Sequence, residues 1–267
     1  MKQNEQQIKE LLHQPDLFRL DLHEETDSTN LLCRQMGTKG EPEGYVAIAD
    51  AQTAGRGRLG RSFQSPSGTG LYMSLLLRPK MPAAEALRIT TAAAVAVAEA
   101  VTAVCGRTAR IKWVNDIYLG ERKVCGILTE SVLSEEPGML SFAVLGIGVN
   151  LTEPEGGFDE SIAGIAGALF ERNAVPEHAR ERLAAEILNR FYDMYQNLTD
   201  PGILARYREY SLLLGRMVEV YPALAEKKDG RIAEVLSVSD DFGLRVRFQD
   251  GTCETLSTGE VSLRLKE

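Results

Sequence analysis

The sequence predicts an α+β protein of two unequal parts, and three observations carry that reading. The chain has 267 residues, which at roughly 150 residues per domain gives about 1.8 domains. Up to about residue 213, apolar strands are interspersed with helical patterns. Beyond it, short strand-like runs follow one another closely, most of them separated by Gly230, Gly243, Gly251 and Gly259, the pattern of a small all-β barrel.

Taken in order, residues 1–16 form a polar segment that reads as a short helix ended near Pro15. Residues 17–25 (LFRLDLHEE) alternate apolar and polar, the period of a half-buried strand. Ser28, Thr29 and Asn30 can each cap exposed helix amides, so a helix starts there. YVAIADA (45–51) and LYMSLLL (71–77) are apolar enough for buried strands. Residues 83–104 predict a long Ala/Val helix, and 110–119 with 123–132 a hairpin about Gly120-Glu121. LSFAVLGIGV (140–149) is a further strand. Helices follow near 160–171, 176–197 and 201–213. In the second, Leu183, Ile187, Phe191, Met194, Tyr195 and Leu198 recur at helical spacing. Asp200-Pro201 is the start signal of the third. Strands are expected at 216–221, 231–238, 243–249, 252–257 and 260–265. The expected divisions are therefore 1–16, 17–213 and 214–267.

Composition sets the class. Apolar residues make up 44% and charged residues 25%, as in ordinary globular proteins, which excludes a disordered chain, a disulfide-stapled miniprotein and a collagen-like fibre. The net charge of −8 argues against whole-molecule affinity for DNA or an anionic membrane, so any anion site must be a local basic patch. The four cysteines (Cys33, Cys105, Cys125, Cys253) form no CxxC pair and the three histidines lie far apart, which disfavours zinc. Scattered thiols fit a reducing cytoplasm. The N-terminus lacks an apolar signal core. The most apolar window, Ile89–Ala98, is closed by Arg88 and Glu99 after ten residues, short of the roughly 20 a membrane span needs.

Four motifs carry chemistry. The first, Gln52-Thr53-Ala54-Gly55-Arg56-Gly57-Arg58-Leu59-Gly60-Arg61, alternates glycines and arginines between two buried strands. Glycine lets backbone approach a ligand, and arginine offers forked donors to phosphate or carboxylate. The same run also suits a solvated surface loop, or a nucleic-acid contact weakened by a single nearby aromatic, Phe63. The second, Lys112-Trp113-Val114-Asn115-Asp116, holds the only tryptophan. Asn115-Asp116 is an ordinary turn pair, yet Asp116 can also coordinate a metal-nucleotide complex, with Lys112 near phosphate or simply exposed. The third, Arg122-Lys123-Val124-Cys125-Gly126-Ile127-Leu128, opens a β-branched strand with a lysine. Such a lysine either deters edge pairing or neutralises a carboxylate and an α-phosphate as they meet. The fourth, Gly146-Ile147-Gly148-Val149-Asn150, puts two glycines in an apolar strand, a sign of close backbone approach. It lacks the third glycine of a dinucleotide fingerprint. Asn150 either bonds a ligand hydroxyl or ends the strand.

Together and in order, these motifs resemble the biotin protein ligase family. The matching pieces are Ser28-Thr29-Asn30, Gln52, Gly55 to Arg61, Ser65-Pro66-Ser67-Gly68, Lys112-Trp113-x-Asn115-Asp116, Arg122-Lys123-x-x-Gly126-Ile127-Leu128, Gly146-x-Gly148-x-Asn150, and Ser257-x-Gly259-Glu260-Val261-Ser262-Leu263-Arg264. The resemblance runs from about residue 17 to 265. It implies a mixed-sheet catalytic domain of the biotin/lipoate ligase type with a small C-terminal SH3-like barrel. It also implies a two-step reaction: biotin and Mg-ATP give biotinyl-5′-AMP and pyrophosphate, then a lysine of a biotin carboxyl carrier domain takes the biotinyl group and releases AMP.

By this resemblance, Ser28, Thr29, Asn30, Gln52 and the Arg56-Gly57-Arg58 stretch contact biotin, and Lys123 holds its carboxylate. Arg58, Lys123 and Asp116 take the catalytic roles, and Asp116 faces the Mg2+ of Mg-ATP. Arg61, Phe63, Lys112, Asn115, Gly126 and Asn150 complete the binding set, and Arg264 reaches the nucleotide from the barrel. Three positions depart from the family pattern: Val114 for proline, Phe63 for tryptophan and Gly70 for asparagine. Some relatives carry an N-terminal DNA-binding module. Only about 16 residues precede the first predicted strand, so no specific DNA binding is expected. The family includes homodimers, and the sequence displays no interface. Lipoate or octanoate ligases of the same superfamily would show a histidine near the arginine motif, and none occurs between His23 and His178.

Overall fold

The structure, a computed structural model, describes residues 4–222, 230–257 and 261–265. Helix α1 (Glu5–Leu11) is capped by Asn4, whose side chain accepts the Gln7 N–H at 3.2 Å. Strand β1 (Arg19–Thr26), helix α2 (Thr29–Thr38), and strands β2 (Tyr45–Gln52) and β3 (Gly70–Leu77) follow. Next come α3 (Leu87–Cys105), β4 (Arg110–Lys112), β5 (Asp116–Leu119), β6 (Arg122–Leu133) and β7 (Leu140–Asn150). Helices α4 (Glu160–Ala163), α5 (Ala179–Tyr195) and α6 (Pro201–Tyr210) precede the C-terminal strands β8 (Met217–Pro222), β9 (Arg231–Val238), β10 (Leu244–Phe248), β11 (Cys253–Leu256) and β12 (Val261–Leu265).

Strands β1 to β7 form one mixed sheet in the order β1-β2-β3-β7-β6-β5-β4. Strands β1 and β2 are parallel, joined across α2; every other pair is antiparallel. Alternation along the strands decides what each face carries. Met73, Leu75 and Leu77 of β3 join the main core beneath α3, whereas Leu76 joins a smaller cluster with Cys33, Tyr45, Ala47, Phe142 and Val144 under α2. Helix α2 sits close to the sheet because Gly37 has no side chain: a Cβ there would lie 2.7 Å from the Phe142 ring.

The Ala83–Cys105 stretch is long and apolar enough by composition to cross a bilayer. It is instead the central core helix. Ile89 through Ala98 are all buried, enclosed by the sheet and by α5 and α6. An all-round apolar helix is what such a position requires.

The second sheet is antiparallel, in the order β11-β10-β9-β8-β12. It accords with the SH3-like barrel implied above. Its apolar residues Val218, Val235, Phe242, Leu244 and Val246 are continuous with the main core. At the junction, Trp113 Nε1 donates to the Phe242 carbonyl at 2.8 Å, and the Tyr207 hydroxyl donates to the Val114 carbonyl at 3.0 Å.

Two expected elements are corrected. Residues 110–119 are two antiparallel strands, β4 and β5, because the chain reverses at Trp113–Asn115. There the Asn115 side chain donates to the Ile127 carbonyl at 2.7 Å and its own carbonyl accepts the Ile127 N–H at 3.0 Å. The helix expected over 160–171 stops after one turn at Ala163. Gly164 and Gly167 weaken helix propensity, and the backbone that follows bonds to Lys123 and Asn150 instead.

Candidate active site

On the α2 face of the sheet, beyond the small apolar cluster, a cleft of about 370 Å³ opens above Gly126, Gly146 and Gly148. Its walls hold Ser28, Thr29, Asn30, Gln52, Arg56, Gly57, Arg58, Arg61, Phe63, Lys112, Asn115, Asp116, Lys123, Gly126 and Asn150. These are all the residues given a binding or catalytic role from the sequence except one. Arg264 lies in β12 opposite Glu219; its side chain, with Gly259 and Glu260 of the same motif, falls outside the described residues.

One end of the cleft is a polar network with no formal positive charge of its own. Ser28, Thr29 and Asn30 are buried at the start of α2. Ser28 occupies the N-cap position, but its side chain caps no amide. Instead Gln52 Oε1 accepts the Thr29 N–H at 3.0 Å and the Thr29 hydroxyl at 3.2 Å. Gln52 Nε2 donates to Ser65 Oγ at 2.9 Å, and the Ser65 hydroxyl donates to the Phe63 carbonyl at 3.0 Å. Beneath, the fully buried Ser74 hydroxyl reaches Asn30 Oδ1 at 2.6 Å and Thr29 Oγ1 at 2.8 Å. Asn30 Nδ2 donates to Glu130 at 2.8 Å.

The glycine-arginine loop arches over this end. Arg56 and Ser62 bridge, the Gly57 N–H donates to the Arg61 carbonyl at 2.7 Å, and the Phe63 N–H donates to the Gly55 carbonyl at 2.9 Å. Leu59 at the tip is 60% exposed and left-handed, with φ 56°. Two arginines fasten the loop to the sheet. Arg56 pairs with Glu130 at 3.1 Å, and Arg58 donates to Asn115 Oδ1 at 2.9 Å. The Phe63 ring lies on the strand floor: a Cβ at Gly148 would meet it at 2.6 Å, and one at Gly126 at 3.4 Å.

The other end is charged. Lys123 Nζ lies 2.6 Å from Asp116 Oδ1. Burial of Arg58 lowers its pKa from the ordinary arginine value; the Asp116 charge opposes that fall and neighbouring Arg61 adds to it. Arginine nonetheless stays charged at any physiological pH. Lys112 Nζ sits 5.5 Å from the centre of the Tyr118 ring. The backbone of Lys123 is clasped on both sides, its N–H donating to the Ile165 carbonyl and its carbonyl accepting the Gly167 N–H, each at 2.8 Å. Asn150 Nδ2 donates to the Gly167 carbonyl at 3.0 Å. Cys125 between these groups is buried, and burial pushes its thiol pKa up, so it is no nucleophile. The arrangement suits an elongated ligand with a hydrogen-bonding head and an anionic tail meeting a second anion.

Sequence reasoning did not assign Ser74, Glu130, Tyr207 or Phe242. Ser74 had a signal, as the one polar residue in an apolar strand (LYMSLLL). Glu130 had only its place four residues beyond Gly126 on the same strand face. Tyr207 and Phe242 reach the turn before Asp116 through tertiary packing alone.

Residues 22–150 match the Biotin/lipoate A/B protein ligase family. The chain is 31% identical over 228 residues to the bifunctional ligase/repressor BirA of Bacillus spizizenii, covering 84% of this chain and 68% of that protein. It is 31% identical over 210 residues to the biotin–[acetyl-CoA-carboxylase] ligase of Mycobacterium tuberculosis, covering 76% and 74%. Among solved structures, the Aquifex aeolicus biotin protein ligase in complex with biotin and ATP superimposes with a TM-score of 0.75 at 27% identity, covering 93% of this chain and 99% of that one. With this cleft, fold and kinship, the chain belongs to the biotin/lipoate protein ligase family and is a ligase.

Proposed function

We propose that this ligase condenses biotin with Mg-ATP in the cleft and transfers the biotinyl group to a lysine of a biotin carboxyl carrier domain. The observation that supports this best is the division of one cleft into a hydrogen-bonding end, built on Ser28, Thr29, Asn30 and Gln52, and an end carrying Lys123, Arg58 and Asp116. Biotin's ureido ring needs placed donors and acceptors, which Ser28, Thr29, Asn30 and Gln52 supply. Its valeryl chain runs over Gly148 beneath Phe63 toward Lys123.

In the first step the biotin carboxylate oxygen attacks the α-phosphorus of ATP, the new O–P bond forms and pyrophosphate leaves. Two anions must meet, so the barrier is chiefly electrostatic. Lys123 exchanges its Asp116 partner for the biotin carboxylate, and Arg58 and Arg61 face the phosphates. Asp116 is a single carboxylate, which fits Mg2+ that arrives held mainly by substrate phosphates rather than in a protein cage. Lys112, Asn115 and Asn150 complete the nucleotide side. In the second step the acceptor lysine amine attacks the acyl carbon, an amide forms and AMP leaves. The mixed anhydride is prone to hydrolysis, and the loop held down by Arg56 and Arg58 excludes water while it exists.

We further propose that residues 17–213 form the catalytic domain, that 214–267 form the barrel domain and that the ligase works in the cytoplasm. The decisive test is intact-mass spectrometry of a biotin carboxyl carrier domain incubated with the protein, Mg-ATP and biotin, with lipoate and octanoate in parallel. The expected result is an ATP-dependent gain of one biotinyl group and none with the other acids. Biotin binding without mass gain would reverse the reading to a sensor.

A further inference from the structure

We infer that Glu130 is a positioning residue that sets the donor and acceptor pattern of the head-group end and thereby selects a urea-type head group over one that forms no hydrogen bonds. The inference rests on the reading that this end of the cleft receives the biotin ureido ring.

Glu130 stands on β6 opposite Val144 of β7. Strand alternation puts it on the same face as Leu128 and Gly126, and its side chain is 17% exposed. It makes two contacts that no other residue replaces. One carboxylate oxygen accepts Asn30 Nδ2 at 2.8 Å; the other lies 3.1 Å from Arg56 Nη1.

The first contact decides which way the Asn30 amide faces. A carboxylate only accepts hydrogen bonds, so Asn30 must turn its NH2 group toward Glu130 and its oxygen toward Ser74. The Ser74 hydroxyl gives its one proton to Asn30 Oδ1 at 2.6 Å, so toward Thr29 Oγ1 at 2.8 Å it can only accept, and the single Thr29 hydroxyl proton is shared between Ser74 Oγ and Gln52 Oε1. Gln52 is oriented from the other side by the Thr29 N–H. The pattern is thus pinned at two places, a main-chain amide and the Glu130 carboxylate. Gly146 makes the arrangement possible, since a Cβ there would lie 1.9 Å from Asn30 Oδ1. This accounts for the first glycine of Gly146-x-Gly148: it approaches Asn30.

The second contact ties the loop to the same carboxylate. Arg56, its side chain 47% exposed, is held at the loop root by Glu130. Head-group recognition and loop attachment therefore share one side chain. A buried network left partly unpaired by the wrong ligand discriminates strongly. Lipoate and octanoate present no hydrogen-bonding head, so they leave the network unpaired only as long as its polarity is fixed.

The test measures pyrophosphate release against biotin and against ATP for the full chain and for Glu130→Gln and Glu130→Met. Loss of one charge-assisted hydrogen bond predicts a rise in KM for biotin of about tenfold or more. KM for ATP stays within about twofold, since neither Lys123 nor Arg58 is touched, and release of the Arg56 anchor is read separately as escape of biotinyl-AMP. Residual activity with octanoate relative to biotin rises in the same variants. A biotin KM unchanged in folded Glu130→Gln overturns the inference. So does a parallel rise in both KM values, the mark of general damage. If Glu130→Met does not fold, Glu130→Gln, matched in size, carries the test. A parent chain that binds no biotin by calorimetry overturns the head-group reading itself, and this inference with it.

Discussion

Lys123 and Asp116 pair at 2.6 Å across the cleft, which holds the lysine in place. Preorganisation of this kind carries most of the electrostatic benefit in charge-bringing reactions. Lys123→Ala is therefore expected to cut adenylate formation by about 100-fold or more, with unfolding by urea unchanged within error. Near-parental pyrophosphate release in that variant would remove Lys123 from the mechanism. The glycines of the strand floor are equally specific. Gly148→Ala places a methyl 2.6 Å from the Phe63 ring, so the ring must leave the floor. Activity should fall and return in Gly148→Ala/Phe63→Leu if crowding alone is the cause. A Cβ at Gly70 would meet the Tyr72 ring at 2.5 Å, and the Tyr72 hydroxyl donates to the Pro66 carbonyl at 3.1 Å.

At the scale of elements, the loop from Gly55 to Phe63 depends on a few attachments. Arg58→Gly removes the bond to Asn115 and one of the two side-chain fastenings to the sheet. The expected outcome is escape of biotinyl-AMP and labelling of lysines on bystander proteins such as serum albumin, detected by avidin blot. Retention of the intermediate by that variant would show that the loop is no lid. The base of the same loop is secured elsewhere. Asp50 at the end of β2 bonds the Ser67 hydroxyl and pairs with Arg180, which is 5% exposed at the start of α5. Burial alone would raise the Asp50 pKa; the Ser67 and Arg180 contacts outweigh it and hold the carboxyl below the usual range. Its stabilising effect is thus complete above the ordinary carboxylate pKa of about 4 and is lost as pH falls further. Asp50→Ala leaves Arg180 buried without its partner and should cost about 3–5 kcal/mol at pH 7. In urea titrations the gap between parent and variant should narrow below about pH 4; a pH-independent gap would refute the ion-pair account.

Across the whole molecule, the barrel holds the turn that delivers Asn115 and Asp116 to the cleft. The Phe242 carbonyl accepts from Trp113 and its ring packs edge-on to Tyr207 at 5.5 Å. Phe242 is a buried residue with φ 63°, a left-handed conformation that a bulky side chain adopts only when its surroundings impose it. Trp113→Phe removes the donor and leaves a buried carbonyl unpaired, a loss of about 1–3 kcal/mol. It should raise KM for ATP more than KM for biotin, because the turn serves the nucleotide side. Equal effects on both would mean that the barrel contributes stability alone.

The sequence by itself determined the elements whose signal is local and the chemistry whose residues are close in the chain. Strands β2, β3 and β7 follow from uninterrupted apolar runs, α3 from its length and α6 from Asp200, whose carboxylate accepts the Gly202 N–H at 2.8 Å. The arginines and glycines of the loop, Lys123 and Asp116 were legible because charge and backbone freedom are properties of single residues. Tertiary structure alone decided the reversal at Trp113–Asn115, the extended path after Ala163 and the contribution of Ser74, Glu130, Tyr207 and Phe242. Each of these depends on hydrogen bonds between residues far apart in sequence, such as Asn30 with Glu130 or Trp113 with Phe242. A buried polar group takes whatever partner the fold brings to it, and that partner is not written beside it in the chain.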